Sequence, residues 1–222
     1  MDPETDFAIT WAALPEPWRQ SFLLAWEAHR AGSLGVGAVL VDPAGAVIAA
    51  GRNRSAEVDA PPGRVAGSYL AHAEVNALLG LAPGDYERHV LYTTLEPCLL
   101  CTAALVHCHV GEVRYAATDH LWHGLERLPE LNDHVARRWP ARVGPLAGPL
   151  AVWGAVLPLA WALARSPYGV VAAAHELPAP GLLGLARELC ESTPTVLHQD
   201  SLAEAMDALW PRLRQTAREP AG

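Results

Sequence analysis

Four residues carry the chemistry open to this chain. The stretch AHAEVNALL, residues 71–79, sets His72 and Glu74 two positions apart in an otherwise apolar helical pattern. A second stretch, TLEPCLLCTAALVHC (residues 94–108), sets Cys98 and Cys101 at i and i+3, neighbours on one helix face. Pro97 suits a first helical turn, where a missing N–H costs nothing, so both sulfurs fall near a helix N-terminus. The macrodipole there favours thiolate over thiol. Two thiolates so placed are good zinc ligands, at roughly 2.3 Å each.

A CxxC alone also serves redox chemistry, so a third ligand has to decide, and His72 is the best candidate. Cys108 lies seven residues beyond Cys101, about 10 Å further along an unbroken helix at 1.5 Å per residue. Donors sharing one tetrahedral ion lie within roughly 4 Å of each other. Cys108 and His107 are thus out of reach and read as a buried thiol and a packed histidine. Three protein ligands with no obvious fourth leave a position for water, as in catalytic rather than structural zinc sites. Glu74 then has a use: a carboxylate beside that water can take its proton and pass it to a leaving group.

The flanking elements must position these groups. Residues 16–31 place Trp18, Phe22, Leu23 and Trp26 on one helical face. GVGAVLVD and AVIAAG, two β-rich runs around the turn signal PAG, read as a hairpin. Residues 52–70 are polar, carry Pro61-Pro62-Gly63, and read as a long loop of the kind that borders sites. The helix carrying His72 and Glu74 stops at Gly80. HVLYTT is then a strand, PCLLCTAALVHC a helix and GEVRYAAT a strand. The order α-β-β-α-β-α-β predicts an α/β sandwich, since alternation forces helices onto the faces of one sheet.

At these residues the chain resembles the cytidine deaminase-like superfamily of zinc-dependent deaminases, whose signature is H-x-E…P-C-x-x-C. The resemblance covers roughly residues 10–135. LYTTLEPCLLCTAALVHCHVGEVRYAATD looks like the second zinc motif of tRNA adenosine deaminases and of bacterial guanine and cytosine deaminases. HAEVNAL is also similar to the dCMP deaminase branch, while VGAVLVD and GRNRS resemble the family's first hairpin and following asparagine.

The resemblance implies a three-layer α/β/α sandwich around a mixed central sheet, and hydrolytic removal of an exocyclic amine from a purine- or pyrimidine-like ring. It implies zinc held by His72, Cys98 and Cys101, with Glu74 carrying the proton. Backbone N–H groups beside Ala73 and Cys98 would hold the substrate's polar edge. Asn53 matches an asparagine that contacts base or sugar, and also reads as a turn residue. Asp119 matches a position at the substrate mouth, and also reads as a helix cap. His120, Trp122 and His123 suit either stacking on a base or ordinary packing. A homo-oligomer is also implied.

Residues 1–142 read as the deaminase core and 143–222 as an apolar, α-rich extension in which APGLLGLARELCE and SLAEAMDALWPRLR form amphipathic helices. REPAG at the end reads as frayed. Residues 143–164 carry no charge over a length able to cross a bilayer. Pro145, Pro149 and Pro158 with several Gly and Ala favour a buried or subunit-contacting segment instead, hence no membrane partner. That segment departs from the short basic C-terminal helix of the tRNA-acting relatives.

The chain has 222 residues, 51% hydrophobic and 18% charged, with net charge −8, enough to bury a core and poorly suited to gripping a polyanion. Arg52, Arg54 and Arg64 make the one local basic cluster. The acidic N-terminus lacks a secretory n-region, and the four unevenly spaced cysteines read as thiols, both pointing to the cytoplasm. A small-molecule deaminase is the leading reading. A nucleic-acid deaminase acting on an extruded base is the second, and a non-catalytic zinc-binding module the third.

Overall fold

Burial along each strand shows which layer covers it. The computed structural model describes residues 6–191 and 196–219. β1 (Gly37–Val41) is buried at every position, as a strand covered on both faces must be. It pairs antiparallel with β2 (Val47–Arg52) across a tight turn in which Asp42 Oδ1 accepts the amides of Ala44 and Ala46 at 2.9 Å. On its other side it pairs antiparallel with β3 (Val90–Thr93). β4 (Glu112–Tyr115) and β5 (Ala141–Val143) continue in parallel, giving the order β2-β1-β3-β4-β5. The sheet is mixed, as expected.

The helices follow in chain order. α1 (Phe7–Ala13) and α2 (Glu16–Arg30) precede the sheet, α3 (Ala73–Leu78) follows the hairpin, and α4 (Leu99–Cys108) links β3 to β4. The short α5 (Asp133–Arg137) precedes β5. α6 (Pro149–Arg165), α7 (Val170–Glu176), α8 (Pro180–Glu191) and α9 (Leu202–Thr216) complete the chain. On one side of the sheet, α2 and α6 share a core built on Phe22, Trp26, Trp153 and Leu157. On the other, α3 and α4 pack Ala73, Ala77 and Leu105 against Ala38, Leu40, Leu91 and Val113. Three layers result.

α3 lies unusually close to the sheet. A Cβ on Gly51 would stand 2.3 Å from Ala77 N and 2.4 Å from Ala73 O. Both are backbone atoms and cannot swing aside. Gly51→Ala is therefore expected to push α3 off β2 and cost about 1–3 kcal/mol. It should weaken metal retention as well, because His72 begins this helix. Denaturant titration and metal analysis check it; unchanged stability would mean the strand absorbs the methyl.

Several sequence expectations need correction. α3 and α4 start later than expected. His72 and Cys98 are N-cap residues in extended conformation rather than helical ones, and Pro97 precedes the cap. Leu23 is 45% exposed, because the buried stripe of α2 runs through Trp18, Phe22, Ala25 and Trp26, a full 100° away. β5 and α1 were not expected: β5 has three residues and no apolar alternation. The uncharged 143–164 segment is largely helix α6. As the buried alternative expected, most of its apolar side chains are covered by this chain's own helices, with Trp153 0% and Leu157 1% exposed. No helix among the described residues is long and apolar enough to cross a membrane. Both amphipathic tail helices form, as α8 and α9, and the last three residues of REPAG lie outside the described part.

Candidate active site

Two helix starts meet at the end of β3. His72 caps α3 and Cys98 caps α4 without a side-chain capping bond, and the two side chains face each other. His72 Nδ1 lies 3.3 Å from Cys101 Sγ and 3.5 Å from Cys98 Sγ, and the sulfurs are 3.7 Å apart. Tetrahedral zinc with ordinary bond lengths requires about 3.6 Å between N and S and about 3.8 Å between two sulfurs. The donor set fits zinc in type and in spacing. Among the described residues it forms one of two clusters able to hold a metal, the other being the mostly exposed Asp85, Glu87 and His109.

Glu74 lies in contact with that set and is 3% exposed. Thr93 Oγ1 donates to its Oε1 at 2.8 Å, and Cys101 Sγ approaches Oε2 at 3.2 Å. Burial raises the Glu74 pKa, with the charge of His72 opposing. The Cys98 thiol is drawn down to about 4, chiefly by the hydrogen bond from Cys101 and also by His72. Cys101 is held well above its ordinary value by its bond to Cys98 and by burial. At pH 7, then, the pair of thiols holds one proton between them. Loading zinc must expel that proton, since the metal binds thiolate. Calorimetry in buffers of different ionisation enthalpy is expected to show about one proton or more released per zinc, with affinity falling as pH falls. Zero release would contradict the pairing.

Of the other sequence candidates, Asn53, Asp119 and Trp122 line the same cavity, while Ala73, His120 and His123 are not among its lining residues. Ala73 is fully buried at the first position of α3, where an N–H has no acceptor within the helix. Asn53 is 2% exposed and lines the cavity, and its Oδ1 accepts from Ser55 N at 3.0 Å in a turn. Asp119 caps the 3-10 turn His120–Trp122 through Leu121 N and lines the cavity. Burial pushes its carboxyl up to about 6. Trp122 reaches the cavity. His120 packs edge-on against His175 instead, and His123 is exposed. Cys108 is half-buried at the far end of α4, and His107 is exposed rather than packed.

Several residues escaped the sequence reading. Thr93 holds Glu74. Glu96 accepts from Asp119 N at 3.2 Å and pairs with Arg142 at 2.9 Å, tying β5 to the site loop. Asn76 fastens the 52–70 loop over α3 by bonds to Val65 and Arg52. The arginines of that loop are not a free basic patch: Arg52 and Arg54 both pair with Glu57, and Arg64 donates to Ala50 O.

The cavity encloses about 150 Å³. Leu34, Val36 and Leu95 form one wall, while Ala155, Pro158, Leu159 and Ala162 of α6 with Val171 and His175 of α7 form another. α6 comes this close because Gly154 has no Cβ; one there would lie 2.6 Å from Thr94 O.

Residues 16–117 match the family model described as the cytidine and deoxycytidylate deaminase zinc-binding region. That match spans somewhat under half of the chain and makes this segment similar to the zinc-binding region of those deaminases. This deaminase-like segment contains all four residues of the His72–Glu74–Cys98–Cys101 constellation. The chain is 36% identical over 106 residues to a tRNA-specific adenosine deaminase of Haemophilus influenzae, a match covering 46% of this chain and 57% of that protein. It is 30% identical over 137 residues to a tRNA(Ile)-lysidine synthase of Deinococcus radiodurans, covering 60% of this chain and 22% of that one. Among solved structures, a guanine deaminase from Bacillus subtilis is 32% identical with a TM-score of 0.38, covering 46% and 63% of the two chains. The chain thus spans little more than half of one curated relative and under a quarter of the other.

Proposed function

We propose that this chain is a zinc-dependent hydrolytic deaminase that removes the exocyclic amine of a small free heterocycle, with release of ammonia. The observation that carries the reading is Glu74, buried and in contact with a His72–Cys98–Cys101 set of zinc spacing, at one end of a 150 Å³ cavity. Bound zinc supplies a Lewis acid and lowers the pKa of water to about 7. The chain's own residues do the rest. Thr93 fixes Oε1 of Glu74, leaving Oε2 as the atom that takes up a proton and delivers it to the departing amine. Asn53 and the N–H groups of Ala73 and Cys98 hold the polar edge of the ring, with Asp119 at the mouth. Leu34, Val36 and the α6 side chains exclude water from the ring.

The cavity is of a size to take one ring. An apolar cavity of about this volume holds one benzene-sized molecule. In this reading residues 1–142 are the catalytic core, residues 143–222 are its cover, and the enzyme is a cytoplasmic homo-oligomer. The identity to a tRNA-specific deaminase favours a second reading, deamination of an extruded base in RNA. Such a substrate needs a basic grip on its backbone, and the loop arginines are already engaged.

Ammonia release by zinc-loaded protein tests this across cytosine, guanine, adenine, their nucleosides, dCMP and a tRNA anticodon hairpin. Turnover of a free base supports the first reading. Turnover of the hairpin alone replaces it with the second.

A further inference from the structure

We propose that His175 of α7 determines specificity in this site by accepting a hydrogen bond from a ring N–H of an unglycosylated amino-heterocycle. The inference rests on the free-heterocycle reading above and names the edge of the ring that the chain reads. Of the α6 and α7 side chains lining the cavity, His175 alone is polar; Ala155, Pro158, Leu159, Ala162 and Val171 are not. A polar group in an otherwise apolar wall is what orients a ligand.

The ring's protonation follows from its partners. His175 Nδ1 lies 2.7 Å from the carbonyl oxygen of Val171, one turn back in the same helix. A carbonyl can only accept, so Nδ1 carries the hydrogen. His175 is 6% exposed, and burial lowers its pKa, keeping the imidazole neutral. A neutral ring with its proton on Nδ1 presents Nε2 as a bare acceptor. With Nδ1 turned onto its own helix, Nε2 is the ring nitrogen not engaged by that carbonyl, on a side chain that lines the cavity. His120 meets the ring edge-on, with centroids 5.2 Å apart and planes at 83°, which restrains its rotation.

An acceptor here selects a donor on the ligand. The metal end of the cavity takes the amine-bearing carbon, and the ring then offers its remaining N–H to the α7 wall. In a nucleoside or nucleic acid one such nitrogen bears the sugar and has no hydrogen. The same device that welcomes a free base therefore leaves Nε2 unpaired against a glycosylated one, which costs affinity.

Calorimetric binding of two pairs to the zinc-loaded full chain tests this: guanine with 9-methylguanine, and cytosine with 1-methylcytosine. The parent base of one pair is expected to bind about tenfold more tightly than its N-methyl partner. His175→Phe, which keeps a flat ring without the acceptor, is expected to bring that ratio close to one with zinc content unchanged. His175→Gln, which restores an acceptor oxygen, should recover part of the ratio, an effect that mere loss of packing would not produce. An undiminished ratio in His175→Phe overturns the role of His175 while leaving the free-base reading intact. Failure of all four compounds to bind overturns both.

Discussion

Glu74→Gln is expected to keep its zinc and lose turnover by roughly a thousandfold, within the range assigned to general acid–base groups. The amide matches the carboxylate in size. Its oxygen can still accept from Thr93 Oγ1, so the 2.8 Å bond that fixes the side chain survives. The three proposed ligands His72, Cys98 and Cys101 are untouched. What disappears is a group able to hold a proton between uptake and delivery. Because the loss falls on the chemical step, kcat should drop while the binding of a free base changes little. Steady-state kinetics with metal analysis on the same preparation reads both quantities. Full activity would remove Glu74 from the mechanism, and loss of zinc alongside activity would recast it as a support of the metal site.

The second large effect concerns the tail. Removing residues 144–222 is expected to leave a chain that does not stay soluble. α6 buries Trp153 and Leu157 against α2, and the indoles of Trp26 and Trp153 stand 5.9 Å apart. Stripping that cover exposes Phe22 and Trp26, now 1% and 5% exposed, together with the cavity wall. Each large apolar side chain returned to water costs about 1.5–3 kcal/mol, and a few of them exhaust the 5–15 kcal/mol that hold a domain folded. Soluble yield and a sizing column measure the outcome. A soluble, monodisperse, zinc-loaded 1–143 fragment would show that the core stands alone. The milder Trp153→Ala should cost about 3–5 kcal/mol in the intact chain.

Much of the sheet was legible because its strands are short apolar runs between unmistakable turns. Asp42 to Gly45 and Gly80 to Gly84 mark where segments end, and the helix of Trp18, Phe22 and Trp26 shows its period plainly. β5 was not legible. Three residues buried on neither face carry no pattern, and only pairing with Glu112–Arg114 makes them a strand. α6 was half legible: its lack of charge announced burial but not by what. Helix starts also slipped by a residue or two. His72 and Cys98 sit at helix caps, a role they fill without the side-chain bond that usually reveals one.

The sequence by itself determined the metal chemistry of the proposal. His72, Glu74, Cys98 and Cys101 are a local matter, since i to i+2 and i to i+3 spacings are short enough for a helix start to place each pair. What those residues face is not local. Glu74 is held by Thr93, nineteen positions away, and the cavity beside it is closed by α6 and α7, from Ala155 to His175. Those residues reach the site because Gly154 lets α6 rest on the backbone of Thr94, and Gly51 lets α3 rest on β2. No spacing along the chain encodes such approaches. Only the close packing of three layers decides them, and with them the volume and the lining of the cavity.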